Sequence, residues 1–477
     1  MRTIRKSVLA VSITAGIILS QSCHIYKSFD IANEVGEDPL LQEYVKAANQ
    51  TATEGALGTL NWQSVYTDPI LAGYIQRALD NNVDLANARL NIEVAHANMK
   101  GARMSFLPSA ALAPNGALSS YAHSDFSKTY QIPLALNWEV DVFGKLLNAK
   151  RGAEATYAMT QDYEQAVRSQ IIAGVANCYY AISSLEAQIE LTEETAKIWA
   201  TNVQTMKDYK EAGRTNEAAV TQSEANYYSI LASLSDLKIS LNEAMNTFSL
   251  LMNEMPHSWD IPSGLVLEMP EAIREGVPMV ELANRPDVRA AERNLAVAYY
   301  ATNSARAAFY PTLNLTANLG FTNMLGSIIK NPAQWFTQLA GSLTAPLFSR
   351  GQNIARLEAT KAQQEQTLNT FGYTLMSAAA DVNEAMTSIE RNREKSQWLE
   401  MQVNAWQRSV EATNELFYYG SATYLEVLTA QSGLLSARMS FISCNLSRTQ
   451  GIISLYQSLG GGGIDKPAAT TAGSNMN

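Results

Sequence analysis

The residues best suited to catalysis or metal binding are few and far apart. The four histidines, His24, His96, His123 and His257, show no spacing typical of a zinc site. The run Gly460–Gly463 is not followed by Lys and Ser or Thr, so it is not a phosphate-binding loop. Sequence spacing points to no Ser-His-Asp arrangement. We therefore expect neither an enzyme nor a bound cofactor.

The N-terminus carries the one cysteine with a predictable role. After the cationic segment MRTIRK, an apolar run from Val8 to about Leu19 has the length of a signal-peptide core and is too short to span a bilayer. The run ends in LSQSC, which places Cys23 where a lipoprotein signal has its acylated cysteine, although Ser20 and Gln21 depart from the commonest pattern. We expect a covalent lipid on Cys23; ordinary signal cleavage beside an incidental cysteine is the alternative.

The other two cysteines, Cys178 and Cys444, fall inside helical patterns. An exported protein can join two such residues in a disulfide. Their positions favour free buried thiols instead.

The bulk composition restricts the class of partner. Of the 477 residues, 47% are hydrophobic and 17% are charged, and the net charge of −10 includes no basic run. Nucleic acid is therefore not an expected partner. Beyond the signal peptide, no segment offers about eighteen unbroken apolar residues, so a membrane would have to be crossed without transmembrane helices.

Four segments alternate apolar and polar residues, which is the period of a strand with one apolar and one polar face. They cover about 107–120, 129–143, 311–324 and 335–348. One face is predicted to contact lipid, through Leu134, Leu136, Trp138, Leu313, Leu315 and Leu319. The opposite face carries Glu139, Asp141 and Asn314. For the two acids, favourable charge at the start of the following helix is the alternative role.

The chain repeats itself. The motif Phe106-Leu107-Pro108-Ser109 returns as Phe309-Tyr310-Pro311-Thr312 after 203 residues (309 − 106). Gly213 followed by Val220 returns as Gly420 followed by Val427 after 207 residues (420 − 213). Each copy is predicted to read helix, strand, strand, long helix, turn, long helix.

The long helices are predicted from uninterrupted helical patterns. No proline occurs from Leu147 to Glu211, and the segment from about Gln352 to Leu416 is similar. In the second segment the apolar positions step by three and four, as in a packed hairpin or coiled coil: Phe371, Leu375, Ala379, Val382, Met386 and Ile389. Gly213 and Gly420 suit the left-handed residue that ends a helix.

Four amphipathic strands cannot close a barrel alone. An open edge in lipid leaves backbone groups without hydrogen bonds, at several kcal/mol each. Two copies of the chain would supply eight strands and three copies twelve. Eight-stranded barrels are filled by their own side chains, so polar residues such as Glu139 and Asp141 favour the larger barrel.

Several motifs resemble the TolC-type outer membrane factors, in the lipoprotein branch that serves tripartite efflux pumps. The segment RPDVRAAERNLAVAYYATNSARAAFYPTLNL (285–315) matches the signature region of that family, WEVDVFGKLLNAKRGAEA (138–155) its first strand-to-helix junction, and FYYGSATYLEVLTAQ (417–431) its second hairpin tip. The resemblance covers about residues 68–459.

The resemblance implies a mixed α+β membrane protein that forms a homotrimer. Its four strands per protomer would share a 12-stranded barrel in the outer membrane, and its helices would form a long periplasmic tunnel. The implied divisions are a signal peptide (1–22), a lipidated belt segment (23–67), repeat 1 (68–254), an equatorial linker (255–284), repeat 2 (285–459) and a flexible Gly-rich tail (460–477). A periplasmic adaptor and an inner-membrane transporter are the implied partners.

The same resemblance assigns roles to the hairpin tips. Adaptor-contact grooves are expected at Gly213, Arg214, Val220, Gly420 and Val427. Relatives often carry an acidic gate residue two positions after the second glycine, where this chain has Ala422. Two nearby acids, Glu415 and Glu426, could replace it. Three aromatic residues could instead block the opening or pack at the tip: Tyr418, Tyr419 and Tyr424.

The leading hypothesis is a passive exit duct for drugs or other small toxic compounds, anchored by lipid in the outer membrane and extending into the periplasm. The alternatives are the exit duct of a type I protein or peptide secretion system and a periplasmic coiled-coil scaffold without a pore. The sixteen methionines do not cluster, which weighs against copper or silver as the exported species.

Overall fold

The computed structural model describes residues 25–48, 60–120, 125–268, 279–325 and 328–462. The chain forms two compact units. The first, the sheet unit, contains residues up to 45, 90–162 and 289–373; the second, the hairpin unit, contains 46–89, 163–288 and 374 onward. The predicted signal peptide and Cys23 lie outside the described residues.

The elements follow the duplicated order. Four helices come first: α1 (Ile31–Glu34), α2 (Pro39–Ala48), α3 (Trp62–Val65) and α4 (Pro69–Asn81). The first copy contains α5 (Val83–Met104), β1 (Ser109–Leu112), β2 (Asn115–Ser119), β3 (Ser127–Val140), α6 (Lys145–Glu211) and α7 (Glu217–Leu251). After α8 (Met279–Ala283), the second copy contains α9 (Pro286–Ala307), β4 (Thr312–Leu325), β5 (Ile328–Thr344), α10 (Gln352–Tyr418) and α11 (Tyr424–Ser458).

The long helices have matching lengths in the two copies. Both α6 and α10 have 67 residues, and both α7 and α11 have 35. None of the helices in the described ranges combines the length and the apolar character needed to cross a membrane.

Within α10 the buried positions follow a seven-residue repeat: Phe371, Leu375, Ala378, Val382, Ala385 and Ile389. The sequence pattern predicted Ala379 and Met386 in place of Ala378 and Ala385. The observed set keeps a strict 3.5-residue period, as in a coiled coil. Its alanines allow close helix approach, and Gly451 of α11 packs directly on Ile389.

The strands form one antiparallel sheet in the order β1/β2, β3, β4, β5. β1 and β2 pair with successive parts of β3 and occupy the range predicted as one strand over about 107–120. Pro114 lies between them and has no N–H to donate, so the strand is interrupted there.

β5 also differs from its predicted range of about 335–348. It begins at Ile328 and ends at Thr344. The segment before 335 contains Asn331-Pro332 and was predicted to be the hairpin tip. β4 continues to Leu325, which lies opposite Ile328, and residues 330–333 lie at a register shift opposite Thr322–Met324.

The glycine run after α11 differs from its prediction as the start of a flexible tail. Gly460–Gly462 are buried. The Ser169 hydroxyl donates to the Gly461 carbonyl at 2.5 Å, and the Gly462 N–H donates to the Tyr456 hydroxyl at 2.8 Å. A Cβ on Gly461 would overlap the Tyr456 ring. Close packing on the Tyr456 ring therefore requires glycine at 461, and the bond from Ser169 joins this segment to α6.

The predicted equatorial linker (255–284) belongs to the hairpin unit, and its first part is hydrogen-bonded to the long helices. Its residues 269–278 lie outside the described ranges. The Leu265 N–H donates to the Ser183 hydroxyl at 2.9 Å, and the Leu267 N–H donates to Thr449 Oγ1 at 3.2 Å. The linker segment is thereby attached to both α6 and α11.

The two described cysteines are free thiols, which confirms the interpretation from the sequence. Cys444 is 1% exposed and donates to the Asn392 carbonyl at 3.4 Å. Burial raises the pKa of the Cys178 thiol to about 11. Since the thiolate is the reactive form, burial disfavours reaction of Cys178 at neutral pH.

Candidate functional site

The sheet has one apolar face, because residues opposite one another in neighbouring antiparallel strands project to the same side. The register pairs Leu134 with Leu319 and Trp138 with Leu315. It therefore brings the six predicted apolar residues to one face: Leu134, Leu136, Trp138, Leu313, Leu315 and Leu319. β5 extends this face with Leu339 opposite Ala317 and Leu343 opposite Leu313.

This apolar face is open to its surroundings. Leu134 is 40% exposed, Leu319 is 42% exposed, and on β5 Leu339 is 79% exposed. A contiguous exposed apolar surface is typical of contact with a membrane or another protein.

The opposite face is polar. Asn314 lies between Glu139 of β3 and Ser342 of β5 in the register, and Thr316 lies opposite Asn137. The structure therefore brings Glu139 and Asn314 together on the face opposite the leucines. Asp141 follows the last residue of β3 and is not part of the ladder.

Both acids at the end of β3 contact the start of α6. The Asp141 carboxylate accepts a hydrogen bond from the Leu147 N–H at 2.7 Å. Glu139 forms an ion pair with Lys145 at 2.8 Å. Since the N-terminal N–H groups of a helix lack intrahelical acceptors, Asp141 acts as a cap. This is the alternative role considered from the sequence.

Aromatic residues lie near both ends of the apolar face. Phe321 and Trp335 are opposite one another at one end, with ring centroids 4.4 Å apart, and Tyr130 is near them on β3. Trp138 lies toward the other end, where its indole N–H donates to the Phe106 carbonyl at 2.9 Å. Apolar bands bordered by aromatic residues are typical of membrane-spanning sheets.

The second group of candidate residues lies at the ends of the helical hairpins. The backbone is the same at both tips: Gly213 and Gly420 have φ of +71° and +73°. The N–H after each glycine donates to the carbonyl five residues earlier, at 2.8 Å from Arg214 to Tyr209 and from Ser421 to Leu416. This is the Schellman arrangement, which the positive φ of glycine permits.

An aromatic row joins the two tips within the hairpin unit. Phe417 lies between Tyr209 of α6 and Tyr424 of α11, with centroid distances of 6.0 and 5.6 Å. Tyr424 also packs on the buried cluster of Trp199, Ile230 and Leu428. Tyr424 thus has the packing role that was one of its two alternatives.

The other predicted gate residues have different surroundings. Tyr418 and Tyr419 are 81% and 77% exposed. Glu415 is exposed and Ala422 half-buried. The Glu426 carboxylate accepts a hydrogen bond from the Thr423 N–H at 2.7 Å. This bond caps α11, so the carboxylate has a partner within its own helix end.

The predicted groove residues also divide into two groups. Gly213, Arg214 and Gly420 are exposed, whereas Val220 and Val427 are only 4% and 3% exposed. The two valines lie on the buried side of the first turns of α7 and α11, whose other residues are half-buried or exposed. Three of the five predicted groove residues are therefore accessible on the chain, and the groove itself stays a prediction.

Sequence reasoning missed the contacts that hold the two hairpins together near their tips. Asn202 of α6 donates to Gln431 of α11 at 2.9 Å. Trp199 is 1% exposed and lies in the cluster that joins α6, α7 and α11. A tryptophan inside a long helix could have been recognised in the sequence as a core residue, but the residues that it packs against could not.

Sequence reasoning also missed the role of the Arg285 side chain, which is 9% exposed. Its guanidinium donates to both carboxylate oxygens of Asp287, at 3.0 and 2.7 Å, and to Asp381 of α10 at 3.0 Å. It also donates to the carbonyls of Ala378 and Ser458, at 3.3 and 2.9 Å. One cation therefore joins the start of α9, the middle of α10 and the end of α11.

Within the described ranges, no three His, Cys, Asp or Glu side chains are grouped as they would be to hold a metal ion. Two separate candidate surfaces have been described: the two-faced sheet in the sheet unit and the pair of tips in the hairpin unit.

Comparison with known proteins gives three further findings. The model of the family described as outer membrane efflux protein matches residues 74–254 and 277–461. The cation efflux system protein CusC of Escherichia coli is 25% identical over 406 residues, 84% of this chain and 88% of that protein. The toluene efflux pump outer membrane protein TtgC of Pseudomonas putida is 25% identical over 471 residues, 96% of each protein.

Among solved structures, the open state of the Neisseria gonorrhoeae MtrE outer membrane channel is similar to this chain with a TM-score of 0.75 and 27% identity. The similarity covers 87% of this chain and 94% of that one. The two ranges that match the family model correspond to the two copies of the internal repeat.

Proposed function

The chain belongs to the outer membrane efflux protein family, and from this premise we propose that three copies form the exit duct of a tripartite efflux system. The protein is an outer membrane efflux channel, as its relatives and structural neighbours are. Membership in a family of transport proteins is consistent with the expectation that the chain is not an enzyme. The duct would conduct drugs or other small toxic compounds passively, driven by an inner-membrane transporter.

The observation that carries the proposal is the sheet with its two faces. Within the described residues, β1/β2 and β5 each have one neighbouring strand and one unpaired edge. Unpaired edges are not tolerated in lipid. Joining β5 of one copy to β1/β2 of the next pairs every edge. Three copies give about twelve strands, with the leucine face toward lipid and the Glu139 and Asn314 face toward a wide lumen.

The hairpins support a periplasmic tunnel and a docking site. The long helices of three copies would surround a continuous passage that ends at the tips. A periplasmic adaptor would contact the exposed residues Gly213, Arg214 and Gly420 and connect the tunnel to the inner-membrane transporter. The glycines leave backbone accessible there, since a Cβ at either one would meet no atom within 4 Å.

A lipid anchor on Cys23 fits the contacts of the residues that follow it. Ile25 is 2% exposed, and its carbonyl accepts from the Asn148 side chain at 2.9 Å. The Tyr26 hydroxyl donates to the Val142 carbonyl, two residues beyond β3. The chain is thus fixed beside the end of the sheet within two residues of Cys23, which would place an attached acyl chain near the membrane surface.

Replacing Cys23 by serine should abolish the incorporation of radiolabelled palmitate in growing cells. Cys178→Ser is the matched control, since that thiol lies inside the helices. Undiminished labelling of Cys23→Ser would contradict the anchor.

Deleting the gene should sensitise cells to several unrelated toxic compounds and raise their intracellular concentration, because the duct is their exit. Fluorescent dye accumulation measures this directly. Wild-type chain supplied from a plasmid should restore the lower level. Unchanged accumulation across drugs, solvents and metal cations would contradict an efflux role.

Cross-linking in native membranes, followed by mass spectrometry, distinguishes the alternatives. A proton-driven multidrug transporter and an adaptor would support efflux of small compounds. An ATP-driven exporter would favour protein or peptide secretion. Recovery of a monomer alone would favour a scaffold without a pore. CusC is named for cation efflux and TtgC for toluene efflux. Because relatives export different compounds, this experiment, and not family membership, identifies the kind of cargo.

A further inference from the structure

The sheet is bordered by cations at the end where its strands join the helices. Four segments of fifteen residues flank that end: 94–108 before β1, 141–155 after β3, 297–311 before β4 and 345–359 after β5. They contain eight cations and three carboxylates, a net charge of +5 in a chain whose total is −10. We call the eight cations the basic rim: Lys100, Arg103, Lys145, Lys150, Arg151, Arg306, Arg350 and Arg356.

Helix stability accounts for only part of the basic rim. Arg103 and Arg306 lie in the last turns of α5 and α9, where positive charge is favourable. Lys145 is the first residue of α6, however, and Arg350 lies two residues before α10. Positive charge is unfavourable at the start of a helix. The cations on these two helices therefore need another explanation.

Ion pairs within the chain neutralise another part of the rim. Glu139 pairs with Lys145 at 2.8 Å. Glu154 lies 2.8 Å from Arg103 and 3.9 Å from Lys150, so one carboxylate serves two cations. Positive charge is left over after these pairs are formed.

The junction of β5 and α10 has the cations with the least compensation. Arg350 and Arg356 are exposed, and neither forms an ion pair with a described carboxylate. Arg350 has a φ of +52°, which is uncommon for a residue other than glycine. Leu347 and Phe348, just before it, are 97% and 86% exposed. Exposed apolar side chains beside cations are typical of a membrane interface.

The trimer proposed above brings cations together at each junction between copies. Joining β5 of one copy to β1/β2 of the next places the chain after β5 beside the chain before β1. Arg350 and Arg356 of one copy would then approach Lys100 and Arg103 of the next. Neighbouring copies could cover each other's apolar residues, but their charges would repel. The complement of this surface is therefore an anion from outside the chain.

We propose that the basic rim binds the phosphate groups of anionic phospholipids in the inner leaflet of the outer membrane, most tightly at the junctions between copies. This proposal rests on the trimeric duct. Its position identifies lipid as the source of the phosphate, because the rim directly continues the apolar face of the sheet. Cations beside a membrane surface are attracted to anionic lipids. A lipid bound there would also hold neighbouring copies together.

The test uses the full-length protein in phosphatidylcholine vesicles that contain a small fraction of spin-labelled phosphatidylglycerol. A parallel sample contains spin-labelled phosphatidylcholine instead. The immobilised component of the electron paramagnetic resonance spectrum measures the lipid bound to protein. Wild type should bind the labelled phosphatidylglycerol severalfold more than the labelled phosphatidylcholine. Arg350→Gln with Arg356→Gln should lose most of this preference.

Two further variants show whether charge at this place is responsible. Arg350→Lys with Arg356→Lys should keep the preference, because both charges remain. Arg391→Gln with Arg393→Gln should also keep it, since these exposed cations lie about 50 Å farther along α10. An equal loss in the two glutamine variants would overturn the proposal.

Inorganic phosphate distinguishes a lipid site from a site for any small anion. Added at constant ionic strength, it should leave the bound fraction of labelled phosphatidylglycerol unchanged. Displacement of the labelled lipid by millimolar phosphate would overturn the assignment to lipid.

The outcomes separate this proposal from the duct on which it rests. A trimer that binds the two labelled lipids equally overturns the lipid site alone. A protein that enters the vesicles only as a monomer overturns the trimeric duct, and the junctions between copies with it.

Discussion

Arg285→Met should lower the free energy of unfolding by about 1–3 kcal/mol, because it leaves the buried carbonyls of Ala378 and Ser458 without their donor. The side chain is 9% exposed and donates to two carboxylates and to the carbonyls of Ala378 and Ser458. The carboxylates of Asp287 and Asp381 are 45% and 49% exposed, so water replaces part of the interaction that they lose. Guanidinium titration in detergent, followed by far-ultraviolet circular dichroism, measures the change.

Arg391→Met provides the matched control. Arg391 is 68% exposed and pairs with Glu394 one turn away on the same helix. Exposed pairs of this type contribute at most about 1 kcal/mol. If both variants unfolded at the same denaturant concentration, Arg285 would not join the three helices energetically.

The Arg285 variant should also have a characteristic pH dependence. Burial alone would raise the pKa of Asp287, but the hydrogen bonds and charge of Arg285 outweigh it and hold that pKa below its usual value. A lowered folded-state pKa stabilises the fold above the unfolded value of about 3.9, and this stabilisation is lost as the pH falls. The stability difference between wild type and Arg285→Met should therefore narrow below about pH 4.

Leu315→Arg should strongly reduce the amount of trimer in the outer membrane, whereas Asn314→Arg should be tolerated. Leu315 lies on the apolar face opposite Trp138, and Asn314 lies on the polar face opposite Glu139. Arginine facing lipid costs about 2–4 kcal/mol at the bilayer midplane and less toward the interfaces. At position 314 the new cation would lie beside a carboxylate.

Immunoblotting of outer membranes, with and without heating in detergent, measures trimer for both variants. Asn314→Arg is the natural control, because it introduces the same side chain one residue away. Equal trimer levels would contradict the assignment of the two faces.

The strands were predictable because their information is local. Alternation along β4 alone assigns Leu313, Leu315 and Leu319 to one face, and the register agrees. The interruption at Pro114 and the early start of β5 were not predicted. The early start of β5 depends on how far its partner strand β4 extends, and the residues of β5 alone carry no information about that length.

The hairpin tips were predictable in position but not in role. Gly213 and Gly420 marked both turns, since a positive φ favours glycine locally. The burial of Val220, Val427 and Tyr424 depends on contacts between helices far apart in sequence. Gly461 is a different case, because the ring that excludes a Cβ there belongs to Tyr456, five residues earlier.

The equal helix lengths of the two copies have a consequence for how this gene can change. Both hairpins consist of a 67-residue and a 35-residue helix, although few residues are shared between them. A heptad inserted into one hairpin alone would shift its tip by about 10 Å and separate Tyr209 from Phe417. We therefore expect each half to tolerate changes of residue type independently, and to tolerate an insertion or deletion only when the other half changes by the same length.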